Sequence, residues 1–169
     1  LSLVLASGVA SAADFFKGLK AAQSGDHKTA LAEWTPLAEQ GNSSAQANLA
    51  VMYRYGHGVP ENDKAALKWF TLAAEQGVAL AQFNLGLMYQ NGVGVLENDK
   101  TAVKWYTLAA EQGDADAQIN LGWMYEYGQS VRKDKRRAYM WYNLSSYNGN
   151  KNSGENKDLV AKNMTSTDI

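Results

Sequence analysis

The side chains capable of chemistry are few and scattered. Ser130-Val131-Arg132-Lys133 has the S-x-x-K spacing of penicillin-recognising enzymes, but the companion S-D-N and K-T-G motifs are absent. His27 and His57 stand in turn contexts and are read as exposed turn residues, not proton carriers. Gly92-Val93-Gly94 lacks the third glycine and the preceding strand of a dinucleotide site. Glu61 with Asp63 and Glu97 with Asp99 offer oxygen ligands, yet not at calcium-loop spacing, so helix capping is the better reading. Glu126 and Asp116 are separated on one helix by about 15 Å of rise, too far for paired-carboxylate catalysis. One run is strongly charged: Arg132, Lys133, Lys135, Arg136 and Arg137 surround Asp134. It reads as a solvated face, or as a contact for an acidic partner, a lipid head group or an anionic polysaccharide.

Composition narrows the classes further. The 169 residues carry 16 Lys+Arg against 17 Asp+Glu, a net charge of −1, which argues against a dedicated nucleic-acid binder or an anionic-membrane binder. With 0 cysteines there is no disulfide framework, thiolate zinc site or thiol nucleophile, and no cofactor or metal is expected. Residues 1–12, LSLVLASGVASA, are too short to span a bilayer. They end on Ala10-Ser11-Ala12, the A-x-A pattern of a secretory cleavage site, and are read as the remnant of a signal peptide. That reading places the mature chain in the periplasm or outside the cell.

The elements that must position any site come from internal repetition. Segments 42–77, 78–113 and 114–149 align without a gap at a period of 36 residues. Ala45-Gln46-Ala47-Asn48-Leu49 recurs as Ala81-Gln82-Phe83-Asn84-Leu85 and Ala117-Gln118-Ile119-Asn120-Leu121. Met52-Tyr53, Trp69-Phe70 and Gly77 recur likewise, at Met88-Tyr89, Trp105-Tyr106 and Gly113, then at Met124-Tyr125, Trp141-Tyr142 and Gly149. Within a copy, Ala45, Leu49, Met52 and Tyr53 share one face of a first helix, and Ala66, Trp69, Phe70, Ala73 and Ala74 share one face of a second. Asn62, Asn98 and Asp134 suit N-caps, and Gly77 suits a left-handed stop. One helix pair cannot bury both of its faces, so the copies must stack. Residues 13–41 form a degenerate N-terminal repeat, and 150–169 read as a polar C-terminal capping segment that is truncated. Thr165 and Asp168 are spaced as the capping box of a further helix.

The pattern in 79–113, from Ala-Gln-x-Asn-Leu-Gly-x-Met-Tyr to Ala-Ala-Glu-Gln-Gly, resembles the Sel-like repeat family of the tetratricopeptide-repeat superfamily. The resemblance covers about residues 14–165 and implies an all-α, right-handed α-solenoid of antiparallel helix pairs. It also implies an exported or envelope binding scaffold without a shared catalytic residue. The third copy departs from the pattern, with Ser130 in place of a loop glycine and Ser145-Ser146 in place of the Ala-Ala pair. Some cysteine-rich relatives have been linked to β-lactams, which keeps a β-lactam-binding or cell-wall hydrolase role as the alternative.

Positions that differ between copies are free of the demands of stacking. On the first helices these are Ala47/Phe83/Ile119, Val51/Leu87/Trp123, Arg54/Gln90/Glu126 and Tyr55/Asn91/Tyr127. They form a second helical face, with Ser44/Leu80/Asp116 in line, and the resemblance implies that this face lines a concave groove for a protein or peptide. Tyr, Trp and Arg are the types that dominate interfaces. The competing reading is that Phe83, Leu87 and Trp123 pack between neighbouring units.

Overall fold

The computed structural model describes residues 14–165, so the signal-peptide reading of 1–12 and the Asp168 end of the capping box lie outside the described residues. Those residues fold into helices α1 (Phe15–Gln23), α2 (His27–Glu39), α3 (Ser43–Tyr55), α4 (Asp63–Glu75), α5 (Ala79–Asn91), α6 (Asp99–Glu111), α7 (Ala115–Tyr127), α8 (Lys135–Tyr147) and α9 (Ser153–Lys162). Each helix packs chiefly against its neighbours in sequence, the pairing that defines an α-solenoid.

Local chemistry sets the boundaries. Asn62, Asn98 and Asp134 accept from the backbone N–H three residues on, at 3.0 Å in each case, and so start α4, α6 and α8. Their own N–H groups donate back to Tyr53 O, Tyr89 O and Tyr125 O, which ties each connector to the helix before it. Asp114 caps α7 in the same way, and burial holds its carboxyl above the usual carboxylate range. Gly77, at φ +89°, follows α4 as the left-handed stop the sequence implied.

The connectors stack along one edge. A Cβ at Gly94 would lie 2.7 Å from Asp63 O, so the second connector rests directly on the start of α4. The third connector carries Ser130 at φ +54°, the one non-glycine among the described residues in left-handed backbone. Ser130→Gly should therefore raise stability by about 1 kcal/mol. The check is the urea midpoint of the variant, and an unchanged or lower midpoint would show that the serine is not strained.

Within each pair the helices approach through one small residue. At Gly86 and Gly122 an added Cβ would meet the rings of Tyr106 and Tyr142 at 2.6 and 2.5 Å. In the N-terminal pair Gly18 meets Trp34 at 2.5 Å, and the Trp34 indole donates to Phe15 O. The degenerate unit therefore reproduces the same large-into-small joint despite its shorter connector. Between units the buried glutamines act as staples. Gln46, Gln82 and Gln118 donate to Ala38 O, Ala74 O and Ala110 O of the preceding second helix. They accept in turn from Gln76, Gln112 and Asn148.

At the C-terminal end α9 covers α8. Ser153 donates to the Ser145 hydroxyl, which donates to Ala115 O, so the departure from the Ala-Ala pair is a hydrogen-bonded joint to the cap.

Candidate binding surface

Each of the four variable positions on the first helices has a distinct fate. At the first, Ala47 is 3% exposed inside the core and cannot touch a partner, which corrects its assignment to the groove. Phe83 packs against the core of α6 and α7, its ring 5.9 Å from Tyr106, and Ile119 packs against the cluster of Ala138, Tyr142 and Val160. This position serves stacking, because its side chains project toward the following unit.

The second position is divided. Leu87 lies against the core around α6 and α7, as the packing alternative anticipated, and Val51, assigned to the groove, lies likewise against that of α4 and α5. Trp123 does not follow them. It remains 43% exposed, its ring 5.3 Å from that of Tyr127. Among the described residues the helix packed on α8 is the short, polar α9, and no described side chain covers the indole fully.

The third position reaches across to the second helix of its own pair. Tyr106 donates its hydroxyl to Gln90 at 2.6 Å, and Tyr142 donates to Glu126 at 2.8 Å. Phe70 has no hydroxyl to offer, and Arg54 instead pairs with Asp63 at 3.2 Å. Burial, followed by the hydrogen bond to the Glu126 carboxylate, raises the Tyr142 phenol well above its ordinary pKa. These residues are partly exposed but already engaged, so they border a surface more than they form it.

The fourth position is open. Tyr55 is 53% exposed and Tyr127 56%, and Asn91 is exposed with its amide donating to Leu87 O. A recess of about 100 Å³ between α3 and α5 is lined by Arg54, Tyr55, Leu87 and Asn91, so residues of two units share one depression.

A larger concavity, about 900 Å³, is formed by the third connector and the first turn of α8. Arg132, Lys133, Lys135, Arg136 and Arg137 line it with Tyr125 and Val131. Arg137 stacks on the Tyr125 ring at 5.3 Å and donates to its hydroxyl at 3.0 Å. Lys133 and Lys135 also border an adjoining depression with Glu126, Tyr127 and Val160. The basic recess thus adjoins Tyr127, whose ring packs on that of Trp123.

The scattered chemical candidates do not converge. Ser130 sits exposed in the connector, and Asp116 accepts from Asn150 while Glu126 accepts from Tyr142. His27 and His57 stack on each other at 5.0 Å across two units, a contact the sequence did not disclose. Among the described residues no group of three or more His, Cys, Asp or Glu is placed to hold a metal ion, and no helix is long and apolar enough to cross a membrane. Sequence reasoning also missed the glutamine staples, although Gln46, Gln82 and Gln118 recur strictly and their outer partners are an amide in each copy, Gln76, Gln112 and Asn148.

Stacked helical hairpins with an exposed aromatic pair and a basic connector define a repeat-solenoid class, whose sites lie on its surface rather than in an enclosed cavity. The chain belongs to the Sel1 repeat family, whose model matches residues 43–78, 79–114 and 115–150. Such repeats form scaffold folds that typically mediate protein–protein interactions. The crystal structure of a Sel1 repeat protein from Oxalobacter formigenes is 34% identical, with a TM-score of 0.83 over 86% of this chain and 60% of that one. The c5321 protective antigen of uropathogenic Escherichia coli strains, which displays an SLR fold, is 32% identical, with a TM-score of 0.72 over 83% of this chain and 34% of that one. The chain therefore spans less than two thirds of the length of either protein. Helicobacter pylori cysteine rich protein B shares the fold at 19% identity and a TM-score of 0.62, over 77% of this chain and 93% of that one. No curated protein matches the chain significantly.

Proposed function

We propose that the chain is a non-catalytic scaffold of the bacterial envelope, periplasmic or secreted, that holds a protein or peptide along the exposed face of its first helices. The observation that carries this reading is Trp123, left 43% exposed beside Tyr127 at a position whose counterparts, Val51 and Leu87, are half-buried against the core. Large aromatic side chains kept in water without a structural use mark an interaction surface. Tyr55, Asn91 and the partly exposed Arg54, Gln90 and Glu126 extend the face. The cations Arg132, Lys133, Lys135, Arg136 and Arg137 give it an edge that favours an anionic partner. Support for export comes from the apolar LSLVLASGVASA segment and its A-x-A ending.

The test is affinity capture from envelope extract, followed by titration of the captured partner against the chain and against Trp123→Ala/Tyr127→Ala. The variant should bind tenfold or more weakly with its helical circular dichroism unchanged. Equal affinity would remove these aromatics from the interface.

A further inference from the structure

We propose that the basic recess on the third connector seats an acidic polypeptide segment whose neighbouring apolar residue rests on Trp123 and Tyr127. This rests on the reading of the surface as a protein-binding scaffold and specifies the chemistry of the partner. The three connectors provide the argument, because they are copies of one structural element. Residues 60–65 and 96–101 each carry a net charge of −1, with Glu61, Asp63 and Lys64 in the one and Glu97, Asp99 and Lys100 in the other. Residues 132–137 carry +4. Lys133 replaces the glutamate of the other copies and Lys135 replaces the aspartate, so two positions have reversed sign. Stacking does not require this, since the acidic versions start α4 and α6 with the same cap geometry.

One cation of the recess is anchored, and three others are exposed. The Asp134 N–H donates to Tyr125 O at 2.9 Å, and Arg137 is fixed on the Tyr125 ring, so the recess is preformed. Asp134 lies 3.6 Å from Arg137, and among the described residues Arg132, Lys133 and Arg136 have no anionic partner. Charges gathered around a recess with Tyr125 and Val131 in its lining attract carboxylates.

The neighbouring connectors decide which polyanion fits. A long, uniformly charged strand or a flat anionic bilayer would extend over the same edge and meet Glu97 and Asp99, then Glu61 and Asp63, which repel it. A short run of carboxylates ending in an apolar residue escapes that repulsion. From the recess it passes Lys133, Lys135 and Tyr127, which border the adjoining depression, and reaches Trp123.

The experiment measures binding of the intact chain to a fluorescein-labelled peptide of six glutamates followed by Leu-Phe, and to a peptide with glutamines in place of the glutamates. The variant converts 132–137 to the sequence of 96–101: Arg132→Leu, Lys133→Glu, Asp134→Asn, Lys135→Asp, Arg136→Lys and Arg137→Thr. Because the second copy already folds with that connector, circular dichroism and the urea midpoint check that it does so here. The acidic peptide should bind the wild type at 50 mM salt (about, as a working condition), lose at least tenfold in affinity in the connector variant, and lose tenfold or more on raising salt several-fold. Equal affinity of wild type and variant overturns the proposal, as does tighter binding to phosphatidylglycerol vesicles or to poly(U) RNA. If the glutamine peptide binds the wild type as tightly as the acidic peptide does, the scaffold reading survives and the acidic specificity fails. If Trp123→Ala/Tyr127→Ala binds the acidic peptide as wild type does, the proposed seat for the apolar residue is overturned, and with it the aromatic part of the scaffold reading.

Discussion

Tyr106→Ala is expected to destabilise the chain by about 3–5 kcal/mol, the range for emptying a buried aromatic site. Tyr106 is completely buried and fills the joint where α5 and α6 meet at Gly86, so no neighbouring side chain on α5 can collapse into the space. Its hydroxyl also serves Gln90 at 2.6 Å. Tyr106→Phe isolates that bond and should cost only about 1 kcal/mol, with Phe70 as the natural precedent in the preceding unit. Urea unfolding followed by circular dichroism distinguishes the two. In a stacked array each unit is supported by its neighbours, so damage at the central joint should also broaden the transition. A midpoint for Tyr106→Ala within experimental error of the wild type would show that the joint contributes little to holding the pair together.

Gln82→Leu should be the next most damaging change, at about 1–3 kcal/mol, because it removes two hydrogen bonds at once, the one Gln82 donates to Ala74 O and the one it accepts from Gln112. Gln82 is buried between α4, α5 and α6, and it donates to Ala74 O at 3.1 Å. The leucine fills the volume, so the loss is that of the hydrogen bonds and not of packing. Gln112→Ala removes only the outer, exposed half of the staple and should cost less than about 1 kcal/mol. A double-mutant cycle between Gln82 and Gln112 reads the coupling directly. Additive effects would mean that the two side chains do not act as one staple.

Repetition made the architecture legible. Three aligned copies fixed the helix pairs, and Asn62, Asn98 and Asp134 marked helix starts that the backbone obeys. Variation between copies was a weaker guide to the surface. It pointed correctly to Trp123, Tyr127 and Tyr55 as accessible, but it also gathered Ala47, Phe83 and Ile119, which face the next unit. The reason is that interfaces between units tolerate variation when the opposing side changes with it. Arg54, Gln90 and Glu126 show the same effect within a pair, matched to Asp63, Tyr106 and Tyr142 in turn.

The amino-acid order alone determined the helical hairpins, their number of copies, their caps and the basic run, because caps, periodicity and charge are properties of neighbours in sequence. The third dimension decided which variable side chains are spent on stacking and which are left in water. It also joined Lys133 and Lys135 to Tyr127 and set His27 against His57. Those outcomes depend on what the adjacent unit places opposite each residue, a distance in space that spacing along the chain does not encode.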